Sequence, residues 1–311
     1  MPARAGDPDK GLPTAYIYSG QYAVGPGWDE DAARRTLVAF ERLAGDRNWS
    51  LLVVKALGRS PDEIMGQLTA ARACGVVLDV VDPALLDRTK EAGMPVVVID
   101  NIAEDYAVDT VVQNGFLGGM HAALHLAGRG HRRIGWLGPD VVNSDPQIPE
   151  RLGGALGGLA RAGLDLPPDL RLVAPIGHPE EARQKVKDFL SRADRPTAVL
   201  ALWQDMTEAL VGAARDLGLR PGKDIEFVGW CTLEQHEAGY PARLGLPPDQ
   251  PMVVWSVVEM TEMAMARLAE RRAHPRLPYS ALQVPVRLVA GLDRHAGSKK
   301  QTQYVTGGSE S

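Results

Sequence analysis

Residues 75–100 read GVVLDVVDPALLDRTKEAGMPVVVID and decide the class of fold. Two short apolar runs, Gly75 to Val80 and Pro95 to Asp100, flank a helical stretch from Pro83 to Ala92. A strand, a helix and a second strand of these lengths form the unit from which parallel sheets are built, because the connecting helix covers one face of the sheet. The segment therefore predicts an α/β fold with a parallel sheet.

The same alternation extends from this segment toward both ends of the chain. Ser60, followed by Pro61 and Glu63, has the pattern of a capping box and predicts the start of a helix. The other elements predicted up to residue 138 are strands at 14–19, 50–56, 110–114 and 132–138, and helices at 29–48 and 115–130.

A second cycle of strands and helices follows the polar, proline-bearing stretch 140–149 (DVVNSDPQIP), which we interpret as a surface loop and the first hinge. Beyond it we predict helices at 150–163, 179–193, 205–218 and 251–272, and strands at 170–175, 198–203, 224–230 and 284–292. Residues 295–311 are polar and almost free of aliphatic side chains, so we expect a disordered tail.

Composition restricts the function further. A chain of 311 residues with 45% hydrophobic and 23% charged residues suits two globular units. Its net charge of -5 argues against a surface that binds nucleic acid by itself. Two cysteines, Cys74 and Cys231, are too few for a disulfide framework or a zinc site and suggest thiols in a reducing compartment. With no signal peptide or membrane-spanning stretch in the sequence, we expect a cytoplasmic protein without a membrane partner.

Motifs for catalysis are missing from the sequence. Residues 20–27 (GQYAVGPG), after the first predicted strand, fit neither phosphate-binding glycine pattern, and neither HExxH nor GxSxG occurs. Asp79, Asp82 and Asp100 lie at strand ends and could form a carboxylate pair, but aspartates there commonly cap the next helix. We therefore predict no catalytic residues, no metal site and no cofactor.

Three tryptophans lie where a ligand would be expected. Doubly wound sheets bind ligands outside the carboxyl ends of their strands. Trp28 follows the first predicted strand, and Trp203 and Trp230 close two later ones. Aromatic faces there suit the apolar face of a sugar ring or a base; the alternative, above all for Trp203 and Trp230, is a place in a lobe core.

Five short motifs, in order, carry a resemblance to a known family. They are NGFLGGMHAALHL (114–126), GHRRI (130–134), ERLGGAL (150–156), PTAVLALWQD (196–205) and KDIEFVGW (223–230). Together with GVVLDV and PVVVID, this series resembles the lactose- and galactose-repressor (LacI/GalR) family of transcriptional regulators. The similarity spans about residues 14 to 293.

The resemblance implies a periplasmic-binding-protein-like fold, in which two α/β lobes joined by three crossings of the chain hold a small effector between them. On this basis we expect a first lobe of 14–138 plus 252–275 and a second of 139–251 plus 280–293, with an extension at 1–13 and the tail at 294–311. The resemblance also implies a homodimer. The family reads DNA through a helix-turn-helix ahead of the first strand, and only thirteen residues precede Thr14, so we expect DNA binding only through a segment not present in this chain.

The positions that contact the effector in the family are mostly changed. Asn114, Gln204 and Cys231 stand where the family has Asp, Asn and Asp, whereas Arg151 is retained. Losing carboxylates removes acceptors for paired hydroxyls and makes the cleft more positive. We therefore hypothesise an anionic or less hydroxylated effector, such as a sugar acid or sugar phosphate, with Arg151 as its charge partner. The alternative is that Arg151 pairs with Glu150.

The sequence thus predicts a non-enzymatic effector-sensing domain of a LacI/GalR-like regulator. Its expected cleft residues are Arg151, Asn114, Gln204, Cys231, Trp28, Trp203 and Trp230. A solute-binding protein of a sugar transporter shares the same fold and is the alternative. An upstream helix-turn-helix would favour the regulator, and an upstream signal peptide would favour the transporter component.

Overall fold

The computed structural model describes residues 12–18, 29–79, 82–103, 106–140, 147–247 and 249–290. The described strands are β1 (Pro13–Tyr18), β2 (Ser50–Lys55), β3 (Gly75–Asp79), β4 (Val96–Ile99), β5 (Asp109–Gln113), β6 (Ile134–Gly138), β7 (Arg171–Val173), β8 (Ala198–Ala201), β9 (Glu226–Thr232), β10 (Met252–Trp255), β11 (Ala281–Val284) and β12 (Arg287–Val289). The described α-helices are α1 (Asp29–Asp46), α2 (Pro61–Ala70), α3 (Pro83–Glu91), α4 (Gly115–Gly128), α5 (Gln147–Arg161), α6 (Pro179–Leu190), α7 (Trp203–Asp216), α8 (Leu233–Glu237), α9 (Tyr240–Arg243) and α10 (Val257–Ala273).

The described strands form two six-stranded sheets, which confirms the predicted α/β fold with two doubly wound lobes. The first sheet has the order β11-β5-β4-β3-β1-β2, and its strands are parallel. The second has the order β12-β10-β9-β8-β6-β7, in which β12 is antiparallel to β10 and the other pairs are parallel.

Helices cover both faces of the first sheet. Tyr16 on β1 packs with α1 and α10, whereas its neighbours Ala15 and Ile17 pack with α2 and α3. Successive side chains of a strand point to opposite faces, so buried residues on both sides require helices on both sides. The start of α2 is fixed by the predicted capping box, in which Ser60 and Glu63 bond each other's backbone N–H.

Three points along the chain connect the two sheets. The chain passes from β5 to α4 at Asn114, from β10 to α10 at Ser256, and from β11 to β12 at residues 285–286. Helix α4 packs in the core of the second sheet, and α10 packs in the core of the first. The first lobe therefore contains β1–β5, α1–α3, α10 and β11, and the second contains α4–α9, β6–β10 and β12.

This connectivity corrects the predicted lobe boundaries. The expected first lobe, 14–138 plus 252–275, wrongly included α4, β6 and β10, and the expected second lobe, 139–251 plus 280–293, wrongly included β11. The polar stretch beginning at residue 140 is not the hinge, because β6 before it pairs with β7 and β8 after it. The actual crossing at Asn114 is a single residue and has no linker composition.

Two further elements differ from the sequence prediction. Residues 251–272 do not form one helix, because Met252–Trp255 is a buried strand and α10 starts only at Val257. The last predicted strand, 284–292, contains all of β12 but only the final residue of β11, and these two short strands belong to different sheets. Four consecutive apolar residues do not distinguish a buried strand from a buried helix.

Glycines allow α4 and α5 to pack in direct backbone contact. A Cβ on Gly154 would lie 1.9 Å from the carbonyl oxygen of Phe116, and one on Gly119 would lie 2.1 Å from that of Arg151. Helix α5, which contains the sequence GGALGG at 153–158, therefore packs closely against α4 of its own lobe. This packing brings the start of α5, with Arg151, next to the crossing at Asn114.

A buried carboxylate fixes the C-terminal end of α10. Asp109, at the start of β5, is fully buried and accepts hydrogen bonds from Arg267 Nε (2.9 Å) and Arg271 Nε (2.8 Å). It also accepts one from the backbone N–H of Ser280, just before β11. One side chain thus joins β5, α10 and the approach to β11.

Several expectations lie outside the described residues, among them the extension at 1–11, Trp28 and the tail beyond residue 290. Within the described ranges, no helix combines the length and the apolar character needed to cross a bilayer.

Candidate functional site

The carboxyl ends of strands from both sheets meet near Arg151. On the first lobe, Asp100 directly follows β4 and Gln113 ends β5. On the second, Trp203 follows β8 and Trp230 lies in the last half of β9. Helix α5 follows β6 in the chain and carries Arg151. The region has the location at which doubly wound sheets bind ligands.

The Arg151 guanidinium lies over two tryptophan rings. Its guanidinium carbon is 4.5 Å from the centroid of the Trp230 ring and 5.2 Å from that of Trp203. The side chain is 1% exposed, and a desolvated cation on an aromatic face is held more strongly than an exposed one. The structure therefore brings together three of the predicted cleft residues.

Gln147 connects this stack to the other lobe. It lies one helical turn before Arg151, and its Oε1 accepts a hydrogen bond from Arg151 Nη2 at 3.4 Å. Its Nε2 donates to the backbone carbonyl of Asp100 on the first lobe. One amide side chain thus links the cation of the second lobe to a strand end of the first.

Gln113 forms a second connection between the lobes. Its Oε1 accepts a hydrogen bond from the indole Nε1 of Trp230 at 3.0 Å. Its Nε2 donates to Asp100 Oδ1 at 3.1 Å. Gln113 is 2% exposed, so both halves of its amide are bonded out of contact with solvent.

Two carboxylates lie at the carboxyl edge of the first sheet. Asp79 ends β3 and accepts a 2.8 Å hydrogen bond from the hydroxyl of Tyr16, and Asp100 follows the neighbouring strand β4. Burial, together with these two carboxylates, raises the pKa of Tyr16 well above its ordinary value. This edge is acidic, so the region as a whole combines a cation on the second lobe with carboxylates on the first.

Two residues of this region have left-handed backbone conformations. Asp100 has φ of 49° and Trp203 has φ of 61°. The left-handed region is unfavourable for side chains with a Cβ, most of all for a bulky one, and is kept only where surrounding contacts impose it. The hydrogen bonds to Asp100 and the stacking of Trp203 on Arg151 are such contacts.

Two other predicted cleft residues have structural partners in this arrangement. Asn114 caps α4, since its Oδ1 accepts from the N–H of Leu117 at 2.9 Å and its Nδ2 donates to Gln283 at 2.7 Å. Gln204 is 8% exposed in the first turn of α7, and its backbone carbonyl accepts a hydrogen bond from the Tyr240 hydroxyl. At this crossing between the lobes, Asn114 therefore connects the start of α4 to β11 through its side chain.

Cys231 does not join the group around Arg151. It is 3% exposed and packs with Tyr240, Met252 and Val254, whereas its neighbour Trp230 belongs to the other core cluster of the second lobe. Adjacent residues of a strand face opposite sides of the sheet, which explains the separation. Burial raises the pKa of the Cys231 thiol to about 12. The expectation that Cys231 lines the same wall as Arg151 is corrected accordingly.

Sequence reasoning missed Gln113 and Gln147. Gln113 is a polar residue at the end of an otherwise apolar strand, and the strand-end rule applied to the tryptophans would have selected it. Gln147 was assigned to a surface loop, because the stretch 140–149 contains two prolines and few apolar residues. Asp79 stands out in the sequence only as a strand-end aspartate, and Tyr16 gives no signal until the fold places β1 beside β3.

Comparison with known proteins identifies the family to which the chain belongs. Residues 123–292 match the model of the periplasmic binding protein-like domain. The chain is 30% identical over 212 residues to the HTH-type transcriptional repressor PurR of Salmonella paratyphi B, a match that covers 67% of this chain and 58% of the relative. The chain therefore spans less than two thirds of the length of the curated relatives that it matches.

Solved structures share the fold. A regulatory protein of the LacI family from Chloroflexus aggregans is similar with a TM-score of 0.75 and 23% identity, covering 90% of this chain and 98% of that one. A complex of the transcriptional regulator CelR with cellobiose gives 0.73 and 20%, covering 90% and 84%. A LacI family regulator from Enterococcus faecium with bound ribose gives 0.70 and 19%, covering 89% and 98%.

Proposed function

Because the chain belongs to the family of periplasmic binding protein-like domains and is similar to LacI-type regulators, we propose that it is the effector-sensing domain of a transcriptional regulator. Its effector is a sugar or a sugar acid bound where the carboxyl ends of the two sheets meet. The observation that carries the proposal is the link from Arg151 through Gln147 to Asp100, which joins a cation and a strand end of opposite lobes at that edge.

The chemistry of the edge supports a polyhydroxylated ligand. Carboxylates accept paired hydroxyl groups, and Asp79 and Asp100 supply them from the first lobe. The indole of Trp203 offers a face for the C–H side of a sugar ring. These carboxylates compensate for the acidic positions that the sequence lacks at Asn114 and Cys231, so neutral sugars are acceptable ligands alongside acids.

Arg151 favours ligands that carry an anionic group. A guanidinium presents paired donors that match a carboxylate, and a preorganised one loses little freedom on binding. Two tryptophan rings hold the Arg151 guanidinium. We therefore expect a sugar acid to bind more tightly than the neutral sugar of the same skeleton.

Ligand binding changes DNA affinity through the arrangement of the lobes. A ligand shifts the balance between open and closed arrangements only by its difference in affinity for the two. A coupling of about 1 to 3 kcal/mol is typical of allosteric proteins. In this proposal the domain works in the cytoplasm as a homodimer, transforms no substrate, and acts on DNA through a helix-turn-helix segment.

Matched calorimetric titrations test the ligand class. The purified chain is titrated with D-ribose, cellobiose, D-glucose and D-glucuronate, the last two being a neutral and acidic pair. We expect D-glucuronate to bind more tightly than D-glucose and the difference to disappear in Arg151→Met. Nanomolar binding of an uncharged sugar that Arg151→Met leaves unchanged would refute the role of Arg151.

The alternative is a solute-binding protein of a sugar transporter, which shares this fold. The two functions differ in whether the natural gene product binds DNA. A mobility-shift assay of the full gene product on the DNA upstream of its own gene, with and without the sugars above, separates them. A sugar-dependent shift supports the regulator, and high-affinity sugar binding without any DNA binding supports the transporter component.

A further inference from the structure

We propose that Gln113 is a positioning residue through which the first lobe controls the location of the Arg151 guanidinium. Two branches run from Asp100 to that guanidinium. In one, Asp100 bonds Gln113, Gln113 bonds the indole of Trp230, and the Trp230 ring lies under Arg151. The other branch runs from the Asp100 carbonyl through Gln147 to Arg151 Nη2. The proposal rests on the proposed function only in taking this edge as the effector site.

Both branches cross between lobes. Asp100 and Gln113 belong to the first lobe, whereas Gln147, Arg151 and Trp230 belong to the second. A relative movement of the two sheet edges therefore alters both the bond from Gln113 to Trp230 and the bond from Gln147 to Asp100. The position of the guanidinium thus depends on the lobe arrangement before any ligand is present.

Gln113 is suited to this task by its amide. It must accept from an indole N–H and donate to a carboxylate at the same time, and an amide has one group of each kind. A carboxylate in its place could accept but not donate, and an apolar side chain could do neither. The buried indole N–H of Trp230 would then lose its partner, which is costly away from water.

The test follows hydrogen exchange in the protein without ligand. One readout is the indole N–H of Trp230, observed by NMR and assigned by its loss in Trp230→Phe. The other is exchange of the backbone amides of residues 151–155 on α5, measured by mass spectrometry. In Gln113→Met we expect both to exchange faster, by on the order of tenfold, since two hydrogen bonds are lost.

A matched control and a rescue separate positioning from general destabilisation. Gln184→Met makes the same replacement at an exposed residue that bonds Asp188 within α6 and belongs to neither branch, and it leaves both readouts unchanged. Gln113→Glu places a carboxylate against Asp100 and accelerates exchange. The double variant Gln113→Glu with Asp100→Asn reverses donor and acceptor, keeps the net charge, and restores slow exchange.

The outcomes decide the proposal directly. Acceleration in Gln113→Met, none in Gln184→Met, and rescue by the double variant support it. Unchanged exchange of residues 151–155 in Gln113→Met overturns it, as does equal acceleration in Gln184→Met. If Gln113→Met does not fold, the comparison of Gln113→Glu with the double variant takes its place. If the double variant does not restore the slow exchange that Gln113→Glu loses, the proposal is overturned. None of these readouts depends on which ligand binds.

Discussion

The guanidinium carbon of Arg151 lies 4.5 Å from the centroid of the Trp230 ring, on the side of the second lobe that faces the end of β5. The planar guanidinium can stack on both indoles and still donate to Gln147, whereas a lysine ammonium cannot reproduce both contacts. Arg151 therefore contributes to the packing of the protein as well as to the proposed binding of the effector.

Replacing Arg151 by lysine tests this packing. Arg151→Lys keeps the charge and loses the planar stack, so we expect the free energy of unfolding to fall by about 1 to 3 kcal/mol. Urea denaturation followed by tryptophan fluorescence measures it. Arg161→Lys, at an exposed position on the same helix, is the control and leaves stability unchanged. Equal stability of the two variants would show that stacking contributes nothing.

The contact between α4 and α5 makes a paired glycine prediction. Gly154→Ala places a Cβ 1.9 Å from a backbone carbonyl, which no side-chain rotation relieves, so we expect a loss of about 3 kcal/mol or failure to fold. Gly66→Ala, inside α2, places a Cβ in open space and gains up to about 1 kcal/mol from helix propensity. Thermal unfolding of both variants checks the opposite signs, and a tolerated Gly154→Ala would contradict the close packing.

We expect Asp109 to contribute more to the free energy of unfolding than a surface ion pair does. Asp109→Asn leaves Arg267 and Arg271, which are 8% and 5% exposed, without the carboxylate that they share. Removing one partner of a buried ion pair costs about 3 to 5 kcal/mol. Chemical denaturation measures the change. Asp62→Asn, which breaks a solvent-exposed pair with Arg88, serves as the control and has little effect.

Cys231 gives a prediction about pH. Burial raises the pKa of its thiol in the folded protein to about 12, above the ordinary 9.0 of an unfolded chain. The folded state therefore holds this proton more tightly, and the contribution of Cys231 to stability declines as the pH rises from about 9 toward 12. Replacing Cys231 by alanine should flatten the pH dependence of the unfolding free energy in that range.

Alkylation of the same thiol provides an independent measurement. In a Cys74→Ser background, Cys231 is the sole cysteine. We expect iodoacetamide at pH 8 to leave it unmodified in the native protein and to modify it in urea, because the reactive thiolate is suppressed by burial. Rapid modification of the native protein would instead show that the Cys231 thiol is accessible from the cleft.

Most of the fold was predictable because its signals are local. The alternation of apolar runs and helices, and the cap at Ser60, depend on neighbours in sequence, and both were confirmed. The lobe boundaries depend on which strands pair across large sequence separations. No composition marks Asn114 as a crossing. The polar stretch from residue 140 has the composition of a linker, yet the elements that flank it, β6 and α5, belong to the same lobe.

The site was predictable only in part, for a related reason. Arg151, Trp203 and Trp230 were identified from their motifs and strand ends, and the structure brings them together. Gln113 and Gln147 acquire their roles through partners on the other lobe, which no local pattern encodes. Cys231 was misassigned because its motif position suggested a ligand contact, whereas strand alternation turns its side chain into the core.

An NMR titration of the isotopically labelled chain with D-glucuronate tests most directly whether a ligand binds between the lobes. The account predicts that the indole signal of Trp203 and the backbone amides of Asp100 and Gln113 shift along one binding curve, because one molecule contacts both sheet edges. Saturable shifts confined to a single lobe, or no shifts at millimolar ligand, would contradict it.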